Sequence, residues 1–392
     1  MKRLTIAAFL MGLVFLAGAQ ETQENLNAVG LLSNKNEKLT IGGYAQIDYN
    51  QPIKLGQIQN GKLDVHRMVM LFGYKFNDRI QFITEIELEH VKEIYVEQAF
   101  VNYKINNWLN LRGGLMLVPF GIINEYHEPP SFNGVERPNV DKYIVPTTWR
   151  EIGIGFSGNI LKSGLKYQLY LMNGFLSYDG SGKLDGKNGL RKGRQKGAES
   201  IMNSPNVAAR LEYYKFSGLT FGVSGYFGKT QSTLFKDVEK ENAIDKSTSD
   251  SSVVGISMLG ADIRYNIKGI MLRGQVSYGK FSNTADYNSF TGSDFGSSMI
   301  GYYVEAAYDV FKNCKKVNSQ LIPFVRYENY NTQNTVSGGI TKNAAYHREE
   351  ITAGIGWKPV SGVAFKADYQ LFRFKGESIF AQQFNAGIGI WF

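Results

Sequence analysis

Apolar residues recur at every second position through most of this chain, and the pattern is clearest at its two ends. In the closing stretch Phe384, Ala386, Ile388, Ile390 and Phe392 alternate with Asn385, Gly387, Gly389 and Trp391, so an extended backbone puts one apolar stripe on one face. From Leu39 the same period appears, with Leu39, Ile41, Ala45, Ile47 and Tyr49 on one side and Thr40, Gln46 and Asp48 on the other. Met68, Met70, Phe72, Tyr74 and Phe76 follow, then Ile80, Phe82, Ile86 and Leu88 opposite Gln81, Glu85, Glu87 and Glu89. Two further strands are predicted around Ala99 to Ile105 and Leu109 to Leu117. Beyond a long connection the spacing predicts strands near 150–160, 164–176, 207–216, 219–230, 255–268, 270–281, 299–311, 320–330, 347–358, 362–374 and 382–392.

The total is about sixteen strands, an even number with both chain ends on one side, each about long enough to cross a bilayer at a tilt. Short turns, such as Ser217-Gly218 and Lys268-Gly269, alternate with long polar connections at 177–206, 231–254, 282–298 and 331–346. The predicted fold class is therefore all-β: a transmembrane antiparallel β-barrel of about sixteen strands, with the last strand pairing with the first. Aromatic residues at predicted strand ends, among them Phe76, Trp108, Phe216, Trp357, Trp391 and Phe392, fit the two interfacial girdles of such a barrel. A soluble sandwich of this size would not show such loop asymmetry, and no fixed repeat marks a solenoid.

The N-terminus sets the compartment. Lys2 and Arg3 precede an apolar run from Leu4 to Leu16, followed by Ala17-Gly18-Ala19, which reads as a signal peptide (1–19) with its cleavage site. Residues 20–38 read as a periplasmic lead-in and 39–392 as the barrel. After residue 19 the sequence has no apolar run of helical spanning length, and a membrane protein without one must close its sheet to satisfy its backbone in lipid. The expected location is the outer membrane of a Gram-negative bacterium. The single cysteine, Cys314, cannot form an intramolecular disulfide. A formal charge of +8, of which Lys2 and Arg3 supply two, does not suggest nucleic-acid binding.

The connection between the fifth and sixth strands differs from the others. Pro119 opens it, and Pro129, Pro130, Pro138 and Pro146 fall inside it, so no long helix or strand can form there. Its Tyr, Phe, Trp and Ile content argues against disorder. As the third long connection it is expected to fold into the lumen as a constriction (119–150), the alternative being a lid over the barrel mouth.

The run Gly113-Gly114-Leu115-Met116-Leu117-Val118-Pro119-Phe120-Gly121, the Glu136-Arg137-Pro138 tripeptide and the strand Trp149 to Gly158 (WREIGIGFSG) resemble the phosphate-selective porin O and P family, as does the terminal IGIWF. The resemblance implies a trimeric, water-filled, anion-preferring channel whose C-terminal strand is read by the outer-membrane assembly machinery. Lipid and lipopolysaccharide would surround it, and small anionic or polar solutes would pass through it.

With apolar faces outward, Arg67, Arg112, Lys166, Arg210, Arg264, Arg273 and Arg326 line the interior, together with Lys75, Lys358 and Lys366. Such bases can replace part of an anion's hydration shell. Acids point inward too, several of them two residues from a base: Arg210 with Glu212, Asp262 with Arg264, Arg326 with Glu328, Lys366 with Asp368. Mutually neutralising pairs are the plainer reading of these. The constriction loop carries Arg137, Lys142 and Arg150 against Glu125, Glu128, Glu136 and Asp141, which suits general diffusion of small polar solutes as well as it suits anions. In 177–206, Lys183, Lys187, Arg191, Lys192, Arg194 and Lys196 could draw anions to the mouth, touch lipopolysaccharide, or simply be solvated.

Three rival functions are testable in the sequence. A hydrolase needs an oriented nucleophile and base, yet the four histidines are scattered and no G-x-S-x-G occurs. His127 beside Glu125 and Glu128 is the one cluster with metal or acid–base character, and a loop salt-bridge network is its simpler reading, so no metal, cofactor or enzyme activity is expected. A TonB-dependent receptor needs about 22 strands and a plug, more than this chain holds. An adhesin or structural barrel would have a filled interior and no conductance.

Overall fold

The computed structural model describes residue 32 and residues 37–54, 56–236 and 243–392; the predicted signal peptide (1–19) and most of the lead-in (20–38) lie outside them. Sixteen long strands follow one another in chain order. The first eight are β1 (Leu39–Lys54), β2 (Lys62–Lys75), β3 (Ile80–Glu89), β4 (Glu93–Asn106), β5 (Leu109–Leu117), β6 (Arg150–Ile160), β7 (Leu165–Met172) and β8 (Asn206–Tyr213). They continue as β9 (Leu219–Lys229), β10 (Gly255–Ile267), β11 (Ile270–Ser282), β12 (Ser298–Tyr308), β13 (Gln320–Thr335), β14 (His347–Val360), β15 (Val363–Phe374) and β16 (Ala381–Trp391). Each pairs antiparallel with its neighbours, and β16 returns to β1 in register from Tyr44↔Trp391 to Ile53↔Gln382. Gly43 and Phe392 exchange two main-chain hydrogen bonds of 2.9 Å, so the sheet closes to the last residue and leaves no open edge.

Burial runs opposite to that of a soluble sheet. On β8 Leu211 and Tyr213 are exposed while Arg210 and Glu212 are buried; on β6 Ile152, Ile154 and Phe156 face outward. Apolar outside and polar inside is the pattern expected when lipid is the external solvent. Exposed Phe76, Trp108, Phe216 and Trp357 lie near strand ends. Trp391 is an exception to the girdle expected from sequence: it sits on the inner face against the interior apolar cluster, opposite in parity to exposed Phe392.

The segregation of long and short connections is looser than the sequence suggests. Residues 90–92 make a tight turn on the long-loop side, because His90 and Val91 both adopt left-handed backbone (φ 51° and 64°) and reverse the chain at once. On the opposite side, 309–319 is an extended connection. Leu32 is buried near that end, its carbonyl accepting from Gln81 Nε2 at 3.0 Å.

The apolar core lies inside the barrel. Phe120, Ile122, Ile123, Val140, Ile144 and Trp149 of the β5–β6 connection join Leu184, Leu190, Tyr287 and Phe295 of the outer connections in one continuous cluster. Trp149 anchors it, with ring centroids 4.7 Å from Phe175 and 4.5 Å from Tyr226, and its indole N–H donating to Glu151 at 2.9 Å.

Candidate functional site

Residues 118–149 leave β5, cross the lumen and return to β6, and their polar groups are tied to the wall around its circumference. Toward β11, Ile122 N donates to Gln275 Oε1 at 2.7 Å. Toward β7 and β8, Glu125 accepts from Gln168 Nε2 at 2.7 Å and lies 3.3 Å from Arg210. Toward β12 and β13, Asn133 Nδ2 donates to Glu305 at 3.0 Å and Val140 N to Glu328 at 3.0 Å. Asn139 reaches Glu350 of β14 at 2.7 Å, and Val135 N donates to Asp368 of β15 at 2.6 Å. The sequence chooses this course because prolines and glycines prevent regular structure, which leaves main-chain groups free for wall side chains.

Glycines on the inner face leave the space. A Cβ on Gly389 would lie 2.8 Å from the Pro129 Cβ, and one on Gly301 would lie 2.7 Å from Ile144 Cγ1, both closer than van der Waals contact allows. The alternation Gly387-x-Gly389 in the last strand therefore records the footprint of the loop as well as a strand period.

Arg67, Arg112, Lys166, Arg210, Arg264, Arg273, Arg326, Lys358 and Lys366 stand on the inner face of their strands, and six of them carry a carboxylate partner. Arg67 faces Glu87 at 3.3 Å; Lys166 lies 3.3 Å from Glu212; Arg273 lies 3.4 Å from Glu305. Arg326 bridges Glu328 (2.9 Å) and Glu305 (3.3 Å), and Arg210 bridges Glu212 (2.8 Å), Asp262 (2.7 Å) and Glu125. Two of the pairs expected from spacing are replaced. Arg264 bonds Glu212 of β8, not Asp262, reaching across β9, where Gly222 pairs with Glu212 on one side and Asp262 on the other and has no side chain to separate the two outer strands' groups. Lys366 turns from Asp368 to three loop carbonyls, those of Pro129, Phe132 and Gly134, at 2.6, 2.7 and 2.8 Å. Arg112 bonds only neutral partners in the described residues, Asn102 at 2.9 Å and the Tyr170 hydroxyl at 3.2 Å.

The loop's own bases divide. Lys142 is exposed over the Tyr143 ring. Arg137 donates to the His127 carbonyl at 2.9 Å, and buried Arg150, the first residue of β6, lies 4.0 Å from Glu97. In the basic outer connection, Arg191 donates to the Thr147 carbonyl at 2.6 Å and Arg194 to the carbonyls of Thr147 and Thr148 at 2.9 and 3.2 Å. Those two guanidiniums cap the end of the inner loop, which leaves Lys187 and Lys196 among the bases for any attraction of anions at the mouth.

Asp141 makes the docking of the loop proton-linked. It is buried, accepts from Gln275 Nε2 at 2.8 Å, and has its second oxygen unbonded. Burial raises its pKa to about 7, with nearby Asp262 adding to the rise and Arg326 and Arg137 opposing it. A carboxyl raised in the docked state favours docking below its free pKa of about 4 and loses that contribution as pH rises toward 7. Hydrogen exchange of the 136–147 amides, corrected for intrinsic rates, is expected to be slower at pH 5 than at pH 8, and Asp141→Asn is expected to flatten the difference.

His127 does not pair with Glu125 or Glu128 as its sequence neighbours suggest. Its Nε2 lies 3.3 Å from Glu97 Oε2 and 3.9 Å from Glu85 Oε2, all three residues buried, with one ligand-type atom from each within 4.8 Å of the others. Glu97 was not legible as an inward acid: a register shift between Glu85 and Ile86 offsets β4 against β3 and turns both Glu97 and Gln98 inward. Among the described residues the ring's nitrogen faces carboxylates, and Tyr44 packs edge-on against the ring at 5.9 Å between centroids.

A closed sixteen-stranded barrel carrying an in-folded third connection is the fold of outer-membrane porins. It superposes on OmpF of Salmonella typhi in complex with daunomycin (TM-score 0.56, 12% identity, 90% of this chain and 97% of that one) and on the anion-selective porin of Comamonas acidovorans (TM-score 0.55, 12%, 90% and 99%). It also superposes on OmpT of Vibrio cholerae in its trimer form (TM-score 0.53, 12%, 91% and 100%). In sequence the chain is 30% identical over 349 residues to an uncharacterized protein of Aquifex aeolicus strain VF5, covering 84% of this chain and 75% of that protein, and it belongs to the same family. No family model matches it.

Proposed function

We propose that this protein is an outer-membrane porin that passes small hydrophilic solutes through a lumen narrowed by residues 119–150, with anions preferred over cations. The observation that carries the reading is the sign of the accessible charge in the terminus-side half of the lumen. Lys166 and Arg273 keep 28% and 20% of their side chains exposed, and Arg112 and Lys358 are half-buried, whereas their acidic neighbours Glu212 and Glu305 are buried. An anion entering that half meets cationic groups, which supports anion preference. Phosphate selectivity of the O and P kind rests on the Pro-Phe-Gly and R-E-I-G motifs alone.

The outward apolar belt supports insertion in the outer membrane among lipid and lipopolysaccharide, and the trimer form of the Vibrio cholerae protein supports a homotrimer. Recognition of the last strand by the assembly machinery rests on the resemblance of IGIWF alone.

The test is reversal potential in a salt gradient across a planar bilayer. Anion preference is expected for the wild type, with a decrease in Arg112→Ala and block of chloride current by phosphate if the narrower reading holds. Cation preference would remove the anion reading and leave the porin intact. A second reading, a structural barrel with a filled interior, is favoured by the loop's bonds around the wall, and absence of any conductance would select it.

A further inference from the structure

The trio of Glu85, Glu97 and His127 has more acceptor than donor. An imidazole Nε2–H holds one hydrogen and can serve one carboxylate well; Glu97 Oε2, at 3.3 Å, is the nearer. Glu85 Oε2 lies 3.9 Å from the same nitrogen and has no hydrogen-bond partner, although Glu85 is fully buried. Glu97 Oε1 is in the same condition, with the Arg150 guanidinium no nearer than 4.0 Å. The other close guanidinium, Arg67, is engaged by Glu87. A buried carboxylate oxygen without a donor costs about 1–3 kcal/mol or more, so the point where these wall and loop side chains converge favours either a proton on one carboxyl or a bound cation.

We propose that Glu85, Glu97 and His127 bind one divalent first-row transition-metal ion of the zinc class, which clamps the inner loop to β3 and β4. Two carboxylates and one imidazole are a borderline-hard ligand set: the nitrogen disfavours calcium and magnesium, which take oxygen, and the absence of thiolate disfavours copper(I). The spacing agrees. Tetrahedral ligation at metal–ligand bonds of about 2.1 Å sets ligand atoms roughly 3.4 Å apart, against 3.3 Å observed for one nitrogen–oxygen separation and 3.9 Å for the other. The Tyr44 hydroxyl donates to Glu97 Oε2 at 3.0 Å, the outer-shell bond that orients a metal-ligating carboxylate. Three protein ligands leave one position for water or solute. Because two ligands belong to the wall and one to the loop, the ion closes a link that proton and main-chain bonds make only in part. The proposal stands apart from the channel reading, since metal content is measured without reference to conductance.

The experiment is zinc titration of the full chain folded in detergent, by calorimetry and by elemental analysis after gel filtration, with His90→Ala as control for the pair of half-buried His66 and exposed His90, whose rings lie 5.3 Å apart. One zinc per chain is expected for wild type and for His90→Ala. Tyr44→Phe is expected to weaken binding roughly 10- to 100-fold, and His127→Ala and Glu97→Gln by more. His127 lies outside the strand ladder, so its variant keeps the barrel, which circular dichroism verifies. Failure of wild type to bind zinc, zinc bound equally by His127→Ala, loss of binding in His90→Ala, or calcium bound in preference to zinc each overturns the proposal.

Discussion

Excising residues 121–147 and joining the ends with a short Gly-Ser linker is expected to raise single-channel conductance in planar bilayers several-fold, with the barrel intact. The barrel does not need the loop to close. β5 and β6 pair from Asn110↔Ser157 to Leu117↔Arg150, and the β1–β16 ladder is formed entirely outside it. What excision removes is the material that spans the lumen: Ile122 against β11, Pro129 over Gly389, Val135 beside Asp368, Ile144 over Gly301. It also uncovers Lys358 and Lys366, whose ammonium groups now bond the carbonyls of Pro130 and of Pro129, Phe132 and Gly134. The excised channel is therefore expected to become more anion-preferring as well as wider. Unchanged conductance would mean that ions do not pass the loop, and the constriction reading would fail.

Arg210→Ala is expected to destabilise the folded barrel by about 3–5 kcal/mol, the cost of leaving buried charge without its partner. Arg210 has no exposed side-chain surface and is shared among Glu125 of the loop, Glu212 of its own strand and Asp262 of β10. Removing it leaves acids that Lys166 and Arg264 offset only in part: Lys166 lies 3.3 Å from Glu212 and 3.9 Å from Glu125, and Arg264 bonds Glu212. The partly exposed pair Lys183–Asp179, at 2.6 Å, supplies the contrast: Lys183→Ala is expected to cost less than about 1 kcal/mol because water reaches and screens both charges. Urea unfolding of the two variants in the same lipid or detergent measures both. A loss for Arg210→Ala as small as that for Lys183→Ala would show that water reaches the cluster and solvates the acids.

The wall was legible because a strand has a period of two and lipid demands the same outward face from every strand. Predicted segments at 150–160, 219–230, 255–268 and 270–281 match β6, β9, β10 and β11 to within a residue at each end. The unusual nature of the β5–β6 connection was legible as well, because five prolines in a stretch rich in aromatics fit neither regular structure nor disorder. The partners of the site were not. Spacing along one strand suggested Asp262 for Arg264 and Asp368 for Lys366, whereas lateral register and the loop's carbonyls supplied the actual partners. Glu125 and Glu128 stood beside His127 in the chain, yet Glu85 and Glu97 meet it in space.

By itself the sequence determined a closed antiparallel barrel of sixteen strands, the outward belt, the inward polar wall and the one connection unlike the rest, because each follows from local period and from breakers of it. Only the tertiary structure decided that this connection is bonded around the wall, which bases keep accessible charge, and that two wall glutamates converge on one loop histidine. Those depend on lateral register between strands and on main-chain groups that no regular element has claimed, and neither leaves a period in the sequence.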